Sequence, residues 1–236
     1  MSGMSPQDSL REFVPGQIWI KKIPLRFFGL QIGTRMTIVR LKDGSLFLHS
    51  PVRLDKNLKQ ELDKLGKVRF IVSPNNLHHL FLGDYFSEYP LARIYASPGL
   101  PEKRRDLKFQ YVLRDTPESE WQDDINQTIF YGSSGFSEVV FCHPASGTLI
   151  LADLIMYFDG QSAFLTKIAT RIFGMYNQPT PPLDVKQSLS QKFQQRLVIE
   201  RILQWDFDKI ILAHGRLIEK DGKKVFKETF SWLWES

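Results

Sequence analysis

The stretch Leu54–His79, LDKNLKQELDKLGKVRFIVSPNNLHH, decides the fold. Leu54, Leu58, Leu62 and Leu65 recur at helical spacing behind Asp55, a good N-cap, and the run stops at Gly66, where a left-handed C-cap residue is expected. Val68 to Val72 then has the composition of a buried strand. Leu77 to Tyr89 predicts a second helix stopped by Pro90, and Ala92 to Ala96 a further strand. A strand placed before this stretch would complete a β-α-β-α-β rhythm.

Such strands are present upstream. Gln17 to Lys22 and Thr34 to Leu41 alternate apolar and polar residues, and the turn signal Lys42-Asp43-Gly44 leads into Leu46 to His49. Downstream, Lys108 to Leu113 and Gln127 to Tyr131 predict strands, and Glu138 to His143 with Thr148 to Ala152 a hairpin about Pro144 to Gly147. Helices are expected near Ser162 to Phe173, Ser188 to Trp205 and Val225 to Trp234, with a strand at Lys209 to Ala213. Two groups of strands, each followed by helices, predict an α/β (α+β) chain, two sheets face to face with helices outside, as one domain over residues 1–236.

Composition narrows the class. With 42% hydrophobic and 24% charged residues the chain is neither disordered nor fibrous. A lone thiol, Cys142, permits neither an internal disulfide nor a cysteine zinc cluster. The N-terminus has no apolar signal-peptide core, and Thr148 to Phe158 is too short to span a bilayer, so a cytoplasmic location is expected. The net charge of +5 is unevenly spread: residues 1–72 carry 13 Lys/Arg against 6 Asp/Glu, residues 73–160 carry 6 against 12, and residues 161–236 carry 12 against 8. Without a long basic run or a nucleic-acid-binding motif, neither nucleic acid nor membrane is expected as a partner. A small molecule is.

Chemistry-bearing residues cluster just after the expected strands: His49, His78 and His79, Asp153, and His214. Strand ends are where α/β sheets place ligands. The segments Thr34 to Leu41, Leu48-His49-Ser50-Pro51, Ser73 to His79, Ser146 to Leu154 and Leu212-Ala213-His214-Gly215 resemble successive landmarks of the metallo-beta-lactamase superfamily, and more narrowly a branch of it classed as a domain of unknown function. That resemblance implies a four-layer αββα sandwich. It also implies a metal-dependent hydrolase, because the family holds two metal ions in a Thr-His-x-His-x-Asp-His loop. Here the loop has Pro74 and Asn76 in place of two histidines and His78 in place of the aspartate, with His79 retained. Gly132-Ser133-Ser134-Gly135 stands where a glycine-histidine element is expected.

The resemblance therefore implies at most a mononuclear site, with His79, Asp153 and His214 as metal ligands and His78 as a fourth ligand or proton shuttle. Zinc suits such donors best, with iron or manganese as alternatives. His49 would support the shell without binding the ion, and Ser50 and Ser73 have no matching base in sequence. The expected substrate is a small ester, thioester, lactone or phosphodiester. A catalytically silent binding module on the same fold is the rival reading, and the aromatic tail Phe226, Phe230, Trp232 and Trp234 offers either a partner surface or core packing.

The hairpin adds one expectation from register alone. A turn at Pro144 to Gly147 places His143 opposite Thr148, away from any site at Asp153, and Glu138 opposite Asp153. Two carboxylates so placed need a compensating cation or shared proton, so Glu138 is expected beside the metal, offset by the ion, His78 or an arginine.

Overall fold

The computed structural model describes residues 9–132, 135–182, 185 and 192–235. Ser133 and Ser134 of the expected Gly132 to Gly135 element, and residues 188–191 of the helix expected from Ser188, lie outside them. The chain forms two compact units, one from residues 1–23 and 34–113, the other from 24–33 and 114–236.

The first unit is built on a seven-stranded sheet. Strands β1 (Arg11–Val14), β2 (Ile18–Ile23), β5 (Thr34–Arg40) and β6 (Leu46–His49) run antiparallel in that order, and β7 (Val68–Val72), β8 (Arg93–Ala96) and β9 (Tyr111–Val112) continue parallel to β6. Helix α1 (Lys56–Leu65) forms where expected. The Asp55 carboxylate accepts the Leu58 N–H at 2.8 Å, and Leu58 and Leu62 are buried with Leu46, Leu48, Ile71 and Ile94. Truncating either leucine to alanine would cost about 2–5 kcal/mol.

Gly66 closes the helix differently from expectation. Its φ of 163° is extended, not left-handed, and its N–H caps Leu62 at 3.1 Å. Glycine is required there because a Cβ would lie 2.6 Å from the Gly44 carbonyl oxygen. The helix expected from Leu77 to Tyr89 is shortened to α2 (Leu82–Glu88), because the Asn75 side chain accepts the N–H groups of Leu77 and His78 and diverts the chain into a turn. Helix α3 is the single turn Leu100–Lys103.

The second unit has the hairpin β3 (Arg26–Phe27) and β4 (Leu30–Gln31) and a four-stranded sheet of β10 (Asn126–Tyr131), β11 (Ser137–His143), β12 (Thr148–Ile150) and β13 (Lys209–Ile211). His143 pairs with Thr148, as the turn predicted, and Gly147 closes the turn at φ 59°. β13 lies parallel to β12, with Ile150 beside Ile211. The unit's core gathers Val140, Cys142, Leu149, Ile199, Ile210 and Phe226. It is covered by α5 (Lys192–Gln204) and α6 (Gly222–Thr229), while α4 (Phe164–Ile172) packs on the β3–β4 hairpin. Phe226 and Phe230 are fully buried, so that part of the aromatic tail is core. Among the described residues no helix is long and apolar enough to cross a membrane.

Candidate functional site

In the first unit, parallel pairing of His49 with Val72 brings two chain exits side by side at one sheet edge. Ser50 follows β6 in a left-handed conformation, φ 58°, with its N–H held by the Val72 carbonyl at 3.0 Å. That backbone is unusual for a serine and costs on the order of 1 kcal/mol. After β7 the Ser73 hydroxyl reaches the carbonyls of Asn75 and His78 at 2.9 and 2.8 Å, which together with the Asn75 turn fixes the loop. The result is a short hydrogen bond between Ser50 Oγ and His78 Nδ1. Sequence reasoning left Ser50 without a base; a base 28 residues away supplies one.

His79, expected among the ligands, is committed elsewhere. Arg104 Nη1 donates to its Nδ1 at 2.7 Å, and the same guanidinium is held by Asp106 at 2.6 and 2.8 Å. A guanidinium only donates, so the His79 proton sits on Nε2 and neither nitrogen presents a lone pair to a metal. Burial, then the charges of Lys103 and Arg104, lower the His79 pKa to about 4. His49 is buried at the end of β6.

The second unit repeats the logic of the first. Ile150 and Ile211 are paired at the ends of parallel β12 and β13, and three residues beyond each lie Asp153 and His214. The two meet, with His214 Nε2 3.1 Å from Asp153 Oδ1 and both side chains buried. Gly215, which follows His214, brings the backbone close to Tyr157. At φ 75° it lets the Arg216 N–H reach the Tyr157 carbonyl at 2.7 Å, and a Cβ on it would fall 2.0 Å from that oxygen.

The His214 proton is placed by its other partner. Its Nδ1 is bonded to the Gly33 carbonyl, which can only accept, so Nδ1 carries the hydrogen. In the neutral imidazole, Nε2 then presents a lone pair to a carboxylate oxygen 3.1 Å away. Two acceptors at that distance repel unless a proton or a metal cation lies between them.

Glu138 takes a place other than the expected one. The β11–β12 pairing ends at Phe141 and Ile150, before the register reaches Glu138 and Asp153. Fully buried, Glu138 accepts the backbone N–H groups of Ala152, Asp153 and Leu154 at 2.8, 2.6 and 3.0 Å. It lies beside Asp153 as expected, but three peptide N–H groups supply the compensation expected of a cation. The carboxylate thus positions the Asp153 loop and is not assigned as a ligand. His143 bonds Ser146 at 2.8 Å, at the turn end of the hairpin.

A family model described as a domain of unknown function (DUF4336) matches residues 15–198. The chain belongs to this family. The match takes in His78, Glu138 and Asp153 and stops before His214, so the DUF4336 model covers only one of the two residues that meet at 3.1 Å. No curated protein matches the chain.

Solved structures similar to this DUF4336 member are metallo-beta-lactamases. One from Pontibacter korlensis has a TM-score of 0.61 at 15% identity, covering 97% of this chain and 99% of its own. The enzyme from Erythrobacter litoralis gives 0.64 at 13%, covering 99% of both chains. FIM-1 from Pseudomonas aeruginosa, in a mono-zinc form, gives 0.61 at 13%, covering 98% and 99%. Similarity at this level over nearly whole chains shows the metallo-beta-lactamase fold for this DUF4336 protein, as expected from the landmarks.

Proposed function

We propose that the chain is a hydrolase of the metallo-beta-lactamase type that holds one divalent metal ion through Asp153 and His214. The observation that carries this reading is the 3.1 Å approach of His214 Nε2 to Asp153 Oδ1, which a cation between them would satisfy. Two donors about 2.0–2.1 Å from one tetrahedral ion lie roughly 3.3 Å apart, so the donor set fits zinc, with iron or manganese as alternatives. The Gly33 carbonyl fixes the tautomer that coordination needs, as outer partners of ligand histidines do. When bound, such an ion supplies Lewis acidity toward a carbonyl or phosphoryl oxygen and makes water acidic enough to attack near neutral pH.

His78 is proposed as the further nitrogen ligand expected from the sequence. Its Nδ1 is engaged by Ser50, so coordination falls to Nε2, and Ser50 then acts as the acceptor that orients the ring. Glu138 keeps the Asp153 backbone in place. His79 is left out of the ligand set because Arg104 occupies its Nδ1. The substrate class proposed is a small ester, thioester, lactone or phosphodiester.

Metal analysis of protein purified without added ions tests this, with His214→Ala and His78→Ala beside the wild type. About one equivalent of a transition metal is expected in the wild type and a loss of most of it in both variants. A metal-free wild type whose thermal stability is unchanged by zinc overturns the reading.

The Ser50–His78 hydrogen bond favours one second reading, a metal-independent serine hydrolase in which His78 Nδ1 takes the Ser50 proton. Chelator-treated protein that still hydrolyses a nitrophenyl ester, with activity lost in Ser50→Ala, would select it over the first.

A further inference from the structure

Helix α4 (Phe164–Ile172) is turned inside out. Its buried residues are Thr166 and Thr170, while Phe164 and Ile172 are 72% and 75% exposed, and Leu165, Ile168 and the following Phe173 are exposed with them. The threonine face is held down by Thr166, whose Oγ1 donates to the Gln31 carbonyl of β4 at 2.9 Å, while Thr170 Oγ1 bonds back to the Lys167 carbonyl of its own helix. An amphipathic helix ordinarily buries the opposite face, so this orientation leaves a contiguous apolar stripe in water.

The hairpin beneath the helix does the same thing at a conformational cost. Phe28 and Gly29 form its two-residue tip with φ 46° and 79°, a turn that favours asparagine–glycine. A phenylalanine in the left-handed region is strained, yet Phe28 is 91% exposed, in edge-on contact with Phe27 at 4.6 Å.

The charges near these side chains are mainly of one sign, with Asp159 before the helix as the acid among them. Residues 24–33 and 160–182 contain Arg26, Lys167 and Arg171 and no aspartate or glutamate. Arg171 lies over the Tyr176 ring, 4.0 Å from its centroid. A symmetric contact with a second copy would oppose like charges. An anionic surface with an apolar interior satisfies both features together.

We propose that α4 and the β3–β4 hairpin form a peripheral membrane-docking surface, with Phe28, Phe164, Ile168 and Ile172 entering the bilayer interface and Arg26, Lys167 and Arg171 meeting anionic headgroups. This binding stands apart from the metal reading, since none of its residues is a proposed ligand.

Co-sedimentation of the full chain with phosphatidylglycerol vesicles, and with phosphatidylcholine vesicles as the neutral arm, tests the proposal. Binding to the anionic vesicles is expected, weaker by about fivefold for each cation removed in Lys167→Gln and Arg171→Gln. Phe28→Ser with Ile172→Ser is expected to lower it at least tenfold. All four side chains are partly or largely exposed, and an unchanged thermal midpoint and metal content show that a variant has folded. The proposal is overturned if the wild type stays in the supernatant with anionic vesicles, if the variants bind as well as the wild type, or if the double variant merely dissolves a concentration-dependent dimer.

Discussion

The Glu138 carboxylate accepts the backbone N–H of Asp153 at 2.6 Å, so one buried acid positions the chain that carries another. Three peptide donors converge on the two Glu138 carboxyl oxygens, a set of bonds that a carboxylate makes stronger than a neutral acceptor would.

Replacing that acid by its amide is the most direct probe of the loop. Glu138→Gln keeps the shape but turns an N–H donor toward peptide N–H groups. A loss of about 2–4 kcal/mol in urea unfolding is expected, together with a loss of bound metal. Unchanged stability would show that the clamp is dispensable.

Gly215→Ala meets a harder obstacle. The added methyl would sit 2.0 Å from the Tyr157 carbonyl oxygen on a backbone with φ 75°. A cost of about 3 kcal/mol or more is expected in thermal or urea unfolding, and a folded variant of wild-type stability would mean that the close approach is not kept in solution.

Cys142 should be chemically silent. Burial, reinforced by the charge of Asp206, pushes its thiol up to about 12, and the thiolate is the reactive form. Ellman's reagent at pH 8 should label no cysteine in the native protein and one in denaturant. Rapid labelling without denaturant would contradict the packing of β11.

Acid should weaken the second unit partly through Asp115. Burial opposes its charge, but the Ile129 N–H, Arg201 and the Thr128 hydroxyl outweigh burial and hold its pKa below the ordinary 3.8. A folded pKa below the unfolded one means that the contribution is complete above about 3.8 and fades as pH falls through the folded value. Asp115→Asn should therefore lower stability at neutral pH and flatten the acid limb below pH 4. Parallel stability curves for the two proteins would refute this.

What was legible in the sequence is what local rules govern. Asp55 and the leucine spacing gave α1, and the four-residue turn at Pro144 to Gly147 gave the His143–Thr148 register. Asp153 and His214 were singled out because each directly follows an expected apolar strand. The failures have a common physical cause, a partner far away in sequence. Arg104 takes His79 across 25 residues, Ser50 meets His78 across 28, and the Gly33 carbonyl sets His214 across 181. α4 was located correctly, yet its periodicity marks an apolar face without saying whether that face turns inward.

The Gly33 contact also bears on how the chain can be divided. Residues 24–33 leave the early strands to join a unit whose remaining residues begin only at Arg114, so the second unit is discontinuous in sequence. A fragment starting at Arg114 would contain both Asp153 and His214 but not the carbonyl that decides which imidazole nitrogen bears hydrogen. Cleavage there would spare the two partners and erase the tautomer, making this half-site a property of the uncut polypeptide.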